Sequence, residues 1–226
     1  MQPPRVAVVS GASSGIGLAI AQRLLAQGWR VIGLSRRAAD IAHPQFEARP
    51  VDLCDRQALL QAVDGVVADA LVHAAGVLKV APLGQLQAED GAAMWQLHVA
   101  AAETLAQALA PAMPTGGRIV LIGSRTASGA PGRSQYAASK AALTALARSW
   151  AAELAPRAIT VNVVAPAATQ TPMLADPGRA GLAPRLPPIG RFIQPEEVAG
   201  TVAFLLSDDA GAITGQQLVV CGGSSL

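Results

Sequence analysis

Apolar positions along the chain follow two alternating rhythms. Short runs rich in Val, Ile and Leu recur at "RVAVVS" (5–10), "RVIGLS" (30–35), "ARPVD" (48–52), "DALVHA" (69–74), "GRIVLIG" (117–123), "AITVNVVA" (158–165) and "QQLVVC" (216–221). Near-continuous apolar runs of this length predict strands buried on both faces, as in a parallel sheet covered by helices. Between them, Ala- and Leu-rich stretches of helical period predict helices over about 15–27, 55–63, 89–112, 136–155 and 195–206. Strand and helix alternating through right-handed crossovers give an α/β fold with a doubly wound, seven-stranded parallel sheet. The stretch 36–47 has room for a short helix at most. The segment "TPMLADPGRAGLAPRLPPIGRF" (171–192), rich in Pro and Gly, breaks the alternation and reads as a long surface connection of the kind that forms lids.

Composition narrows this picture without redirecting it. With 226 residues, 51% apolar and 14% charged, the chain suits one domain, 1–226, with ample material for a buried core. The 17 basic and 15 acidic residues leave a formal charge of +2 with no long run of either sign. Neither nucleic acid nor a membrane is therefore an expected partner. Cys54 and Cys221 lie far apart without ligand spacing, so no disulfide framework or zinc site is expected. Both thiols should be packed, and a reducing compartment fits. The N-terminal "MQPPRVAVVSGASSG" enters a strand-like run without the apolar core of a signal peptide, and no stretch is apolar enough to span a bilayer. A soluble, cytoplasmic protein is expected.

Chemistry first shows in "VAVVSGASSGIGLAIAQRLLAQG", where Gly11, Gly15 and Gly17 follow the first strand and open the first helix. Glycine there allows a tight turn and a close approach of phosphate to backbone, with the free N–H groups of the helix facing the anion. The spacing is G-x-x-x-G-x-G and no Lys-Ser/Thr follows, which argues against a nucleotide-hydrolysing loop. At the end of the second strand, "LSRR" puts Ser35, Arg36 and Arg37 where basic residues would neutralise a 2′-phosphate, favouring NADP over NAD; two arginines solvating a loop would read the same. Asp52, at the end of the third strand, is placed either to meet the adenine amino group or to cap the helix beginning near Asp55.

The chain has a single tyrosine, Tyr136, in "YAASK". Its i,i+4 spacing to Lys140 puts both on one helix face. Ionising a phenol at pH 7 costs about 4 kcal/mol unless a nearby cation stabilises it. Ser124 ends the fifth strand, at the carboxyl edge where α/β sheets bind ligands, and could hydrogen-bond a carbonyl or hydroxyl oxygen while Tyr136 exchanges its proton. Ser128 and Ser134 are rival hydroxyls.

With these pieces in place the chain resembles the short-chain dehydrogenase/reductase family in its single-domain, Rossmann-type form, and within it the 3-oxoacyl-carrier-protein-reductase-like and dihydrodiol-dehydrogenase-like members. The resemblance rests on "SGASSGIG", "HAAG" (73–76), the Ser124, Tyr136 and Lys140 set, "VNVVAP" (161–166), "ATQTPM" (168–173), "QPEEVAGTVAFLLSD" and "ITGQQLVVCGGSSL". It implies an NAD(P)-dependent oxidoreductase with Tyr136 as acid/base, Lys140 on the nicotinamide ribose and Ser124 orienting the reacting oxygen. It also implies a cofactor shell of Gly11, Ser13, Ser14, Gly15, Ile16, Gly17, Ser35, Arg36, Arg37, Asp52, Leu53, Ala74, Ala75, Gly76, Tyr136, Lys140, Pro166, Thr169 and Thr171; His43, His73 and His98 lack a ligand pattern, so no metal is expected. Three departures stand out: His73-Ala74-Ala75-Gly76 replaces the family's Asn-Asn-Ala-Gly, Pro166-Ala167 replaces Pro-Gly, and His98 takes the place of the helix-four asparagine of the proton relay.

The expected reaction is the interconversion of a ketone and a secondary alcohol, with NADP(H) preferred and NAD(H) possible. A nucleotide sensor or interaction protein weakened in catalysis by His98, or an isomerase or dehydratase using the nucleotide transiently, are the competing readings. Within a lid at about 172–192, Met173, Leu174, Leu182, Leu186 and Ile189 alternate with Arg179, Arg185 and Arg191, suiting an apolar body with an anionic end or ordinary loop packing. The resemblance implies a homodimer or homotetramer packed through the Ala-rich faces of the 89–112 and 136–155 helices.

Overall fold

A computed structural model describes residues 3–175 and 185–226. Seven strands form one parallel sheet: β1 (Val6–Ser10), β2 (Arg30–Ser35), β3 (Phe46–Pro50), β4 (Ala70–His73), β5 (Arg118–Ile122), β6 (Thr160–Pro166) and β7 (Gln217–Val220). Their order is β3-β2-β1-β4-β5-β6-β7, so the chain reverses direction across the sheet between β1 and β4 and opens a crevice at their carboxyl ends. The helices are α1 (Gly15–Ala26), α2 (Arg56–Ala62), α3 (Ala88–Trp95), α4 (Ala101–Leu109), α5 (Ser134–Leu154) and α6 (Pro195–Leu205).

The strand runs are apolar throughout because each face has its own core. Val8, Leu71, Leu121 and Val163 join Leu59, Leu105 and Leu143 from α2, α4 and α5, while Val9, Val72, Ile122 and Val164 join Ile20, Leu24, Val198 and Val202 from α1 and α6. Each such side chain contributes roughly 1.5–3 kcal/mol when fully buried. At the far edge the buried Asn162 side chain donates to Ile213 O (2.7 Å) and accepts from Gln216 N–H (3.0 Å), which sets the approach of β7.

Three expectations need adjustment, those for the third strand, the two thiols and the 89–112 helix. The third strand lies two residues earlier than predicted, over Phe46–Pro50, because Phe46 and Arg49 pair with β2 whereas Asp52 has already turned to accept the Cys54 N–H. That turn leaves Cys54 exposed, and Cys221 is only partly covered, so neither thiol is packed in the core. No helix forms between β2 and β3. The helix predicted over 89–112 is interrupted by a π turn over Gln96–Ala100, where Ala101 N–H reaches back five residues to Gln96 O. Of the expected lid, a 3-10 turn covers Pro172–Ala175 and residues from 185 onward are described, whereas Arg179 and Leu182 lie outside the described residues. Among the described residues, no helix is long and apolar enough to cross a membrane.

Candidate active site

The β1–α1 turn is built for close approach. Gly11 (φ +72°) and Gly15 (φ +55°) both adopt left-handed backbone that a side chain resists. A Cβ on Gly11 would come 2.8 Å from the Ala75 backbone, and one on Gly17 would strike Gly11 O. Ser14 is the N-cap of α1 by position, yet its hydroxyl makes no bond to the helix and is exposed, and the first turn carries no acidic residue. The helix thus presents an uncompensated positive end, the condition for holding a phosphate.

Ser10, the last residue of β1, ties this turn to β4. Its buried Oγ accepts from Ala74 N–H (3.1 Å) and Ala75 N–H (3.3 Å) and lies 2.9 Å from His73 Nδ1. His73 Nε2–H donates to Leu97 O (3.1 Å), so Nδ1 is the acceptor and the Ser10 hydroxyl the donor. The π turn is what brings that carbonyl over His73. Full burial, reinforced by the charge of Lys140, lowers the His73 pKa to about 3, keeping the ring neutral. His73 therefore replaces the expected asparagine as a structural hinge between β1, β4 and the π turn.

Tyr136 and Lys140 rise from the first two turns of α5, and Ser124 follows β5; all three line one cavity of about 640 Å³ at the carboxyl edge of the sheet. Ser124 Oγ accepts from Thr126 N–H (3.2 Å) and sits 2.9 Å from Thr126 Oγ1, which fixes its rotamer. Lys140 is buried, donates to Ile122 O (2.8 Å), and has its pKa brought down from 10.5 to about 7 by desolvation. His98 stands edge-on to Tyr136, ring centroids 5.6 Å apart at 86°. Its Nε2 accepts from Val77 N–H (3.0 Å), so Nδ1–H donates to Ser139 Oγ (2.9 Å), whose own hydroxyl donates to Tyr136 O (2.9 Å). Burial first, and the Lys140 charge second, drive the His98 pKa far down.

Known proteins resemble this chain along nearly its whole length. The family profile described as enoyl-(acyl carrier protein) reductase matches residues 11–225. The chain is 36% identical over 236 residues to a 3-oxoacyl-acyl-carrier-protein reductase of Escherichia coli, covering 97% of this chain and 96% of the other. It is 35% identical over 233 residues to L-xylulose reductase of Bos taurus, again 97% and 96%. Among solved structures, a short-chain dehydrogenase/reductase from Serratia marcescens superposes with a TM-score of 0.85 at 36% identity, covering 98% of each chain. A blue fluorescent protein from a metagenomic library, solved in complex with NADPH, does so with a TM-score of 0.86 at 32% identity, also over 98% of each. The chain belongs to the short-chain dehydrogenase/reductase family. It is thus placed among NAD(P)-dependent oxidoreductases.

In this dehydrogenase/reductase, Ile16, Ala74, Gly76, Pro166, Thr169 and Thr171 line the same cavity as Ser124, Tyr136 and Lys140. Thr171 also closes over the glycine turn: a Cβ on Gly15 would lie 3.2 Å from its methyl group. Arg36 and Arg37 are exposed beyond β2, and Ser35 turns its hydroxyl onto Arg37 O (2.7 Å), anchoring the pair rather than facing solvent. Of the two readings of Asp52, the helix cap belongs to Asp55, whose Oδ1 accepts from Gln57 and Ala58 N–H at 3.0 Å. Asp52 stays exposed and Leu53 is buried beneath it. Ser13 is half-buried in the turn. The rival hydroxyls do not converge here: Ser128 donates to Arg125 O and Ser134 is exposed at the start of α5.

Sequence reasoning missed Ser10 and Ser139. Their only advance signals are a serine ending a strand and one preceding Lys140. Because both ring nitrogens of His98 are hydrogen-bonded within the protein, its side chain positions the first turn of α5 and does not reach for a relay water. His98→Ala would strand the Val77 N–H and leave a cavity beside Ser139, whose hydroxyl keeps its bond to Tyr136 O. A loss of about 2–4 kcal/mol is expected, read as a fall of roughly 5–10 °C in the thermal midpoint.

Proposed function

We propose that this short-chain dehydrogenase/reductase interconverts a ketone and a secondary alcohol with NADP(H), and that Tyr136 is its acid/base. The observation that carries the reading is the convergence of Ser124, Tyr136 and buried Lys140 on one cavity beside the glycine turn. The residues present suit a nicotinamide dinucleotide. Gly11, Gly15 and Gly17 permit the tight turn, since a Cβ at each would press on Ala75, Thr171 or Gly11 O; Ser14 and the α1 N-terminus beyond it would hold the pyrophosphate, Arg36 and Arg37 a 2′-phosphate, and Lys140 and Thr171 the nicotinamide end. When bound, the coenzyme supplies the hydride for reduction or accepts it for oxidation.

The chain's own residues manage the reacting oxygen and its proton. The Ser124–Thr126 hydroxyl contact works in either sense; when Thr126 Oγ1 is the donor, the serine proton is released to hydrogen-bond a substrate oxygen. Tyr136 gives that oxygen its proton during ketone reduction and takes it back in the reverse direction. Lys140, in its ammonium form, lowers the cost of the phenolate. The desolvation that weakens its own basicity also strengthens its field on the phenol.

Arg36→Ala/Arg37→Ala is expected to weaken NADPH binding about 10- to 100-fold, the value of charge-assisted hydrogen bonds to one phosphate, with little change for NADH. Fluorescence titration of both coenzymes, paired with a screen of ketones and secondary alcohols, tests the whole reading. Tight NADPH binding without turnover of any compound would favour the sensor reading, which draws support from the fully committed ring of His98. Product formation with no net change in NADP(H) would favour an isomerase or dehydratase. A homodimer or homotetramer in a reducing cytoplasm also belongs to the proposal, supported by the half-exposed Val219 on edge strand β7 and by the two free thiols.

A further inference from the structure

Beyond the residues that handle the oxygen and the coenzyme, the same cavity contains three arginines, Arg125, Arg133 and Arg185, and no Asp or Glu among its described lining residues. Of the described arginines elsewhere, Arg23, Arg36, Arg37, Arg56 and Arg148 are exposed to solvent, and the others have protein partners. Arg30, Arg49 and Arg191 pair with carboxylates, Arg191 through two bonds to Glu197 (2.7 and 2.8 Å), and Arg118 and Arg157 donate to backbone carbonyls. Arg118 shares with Arg125 and Arg133 an enclosed Nε that has no acceptor, but its terminal nitrogens donate to Gly116, Gly117 and Ser207 O, whereas Arg125 and Arg133 make no such bond among the described residues. Each is half-buried with its Nε enclosed and without a protein acceptor, and neither forms an ion pair among the described residues. An enclosed Nε–H without an acceptor is costly until a ligand supplies one.

Their positions say where that ligand lies. Arg125 directly follows Ser124. Arg133 is the N-cap residue of α5, three residues and roughly 4.5 Å of helix rise before Tyr136. The first turn of α5 has neither a side-chain cap nor an acidic residue, so its positive end adds to the same field. The glycine turn and the Arg36–Arg37 pair already account for the coenzyme's phosphates at the other end of the crevice. Leu78, Met173, Leu174 and Leu186 complete the wall on which the arginines sit.

Resting on the proposed oxidoreductase reading, we infer that the substrate is a short oxo acid or hydroxy acid whose carboxylate is held by Arg125 and Arg133, with its carbonyl or hydroxyl at Ser124 and Tyr136. A planar fork of N–H donors matches a carboxylate. Both arginines lie within a few residues of the oxygen-handling pair, so the anion belongs to a short substrate and not to the far end of a long carrier arm. The lid arginines contribute differently from the expectation: Arg191 is committed to Glu197, and Arg185 lines the cavity mouth.

The test compares kcat/KM, with NADPH, for 3-oxobutanoate, 3-oxohexanoate and 4-oxopentanoate against their methyl esters, and for dihydroxyacetone phosphate against dihydroxyacetone. The wild type should favour at least one acid over its ester by about tenfold or more, and the ratio should fall towards unity in Arg125→Gln/Arg133→Gln. Acids no better than esters in every pair, a preference that survives in the double variant, or an arginine-dependent preference for the phosphorylated ketone alone would each overturn it. If no compound turns over, calorimetry of pentanoate against pentanamide on the NADP-loaded protein separates the two claims. Arginine-dependent binding of the acid alone keeps the carboxylate site while the redox reading fails, and equal or absent binding removes the site.

Discussion

Tyr136→Phe is expected to reduce turnover by about 10³-fold or more while changing NADPH affinity far less. The substitution keeps the ring and its edge-on contact with His98 and deletes only the hydroxyl. Positioned proton transfer contributes about 10²–10⁴-fold, and the described groups nearest the tyrosine have other tasks: Ser124 lacks a basic partner, Lys140 is shared between Ile122 O and the proposed nicotinamide ribose, and His98 has both nitrogens engaged. Steady-state rates with a verified ketone, alongside coenzyme titration and thermal melting, check the result. A variant that keeps more than a tenth of the wild-type rate would remove Tyr136 from the acid/base role. One that loses NADPH binding and rate in parallel would make the tyrosine a binding residue.

How much of this was visible beforehand depends on the range of the forces involved. The seven strands were legible because a doubly covered strand needs an unbroken apolar run. The Tyr136–Lys140 pair was legible because helix geometry alone places i and i+4 together. The π turn was not: Ala-rich sequence is helical in any register, and the break at Gln96–Ala100 goes with a buried partner, His73, 24 residues from Leu97. Nor was the division between Asp52 and Asp55, since two acidic residues three apart offer equivalent caps until the turn closes on one. The role of His98 depended on Ser139, 41 residues away, and on a tautomer that only the completed network selects. Arg125 and Arg133 carry no sequence signal of their own; what marks them is a cavity whose described lining holds no carboxylate. Local rules thus located the parts; the assignment of partners needed the packed sheet.

Lys140→Met should separate stability from function in the coenzyme-free protein. The lysine ordinarily titrates at 10.5, and burial brings it to about 7. Between those values the unfolded chain holds the proton and the folded chain does not, so the group's contribution to stability rises with pH through the window; below about 7 both states are protonated and its full cost remains. A shift of this size corresponds to on the order of 5 kcal/mol. Loss of the bond to Ile122 O returns about 1–3 kcal/mol of that by leaving a buried carbonyl unpaired. Methionine fills nearly the same volume, so the net gain at pH 6 should be about 2–4 kcal/mol, a rise of roughly 5–10 °C in the thermal midpoint. That gain should shrink steadily as the pH approaches 10.5. Turnover should fall by about 10³-fold, because the phenolate loses its neighbouring cation. A melting temperature that drops, or that rises by the same amount at every pH, would show that the ammonium is well solvated in the empty cleft. A pH-dependent gain paired with lost activity would show the opposite: the fold bears the cost of a dry lysine because the tyrosine beside it cannot work without one.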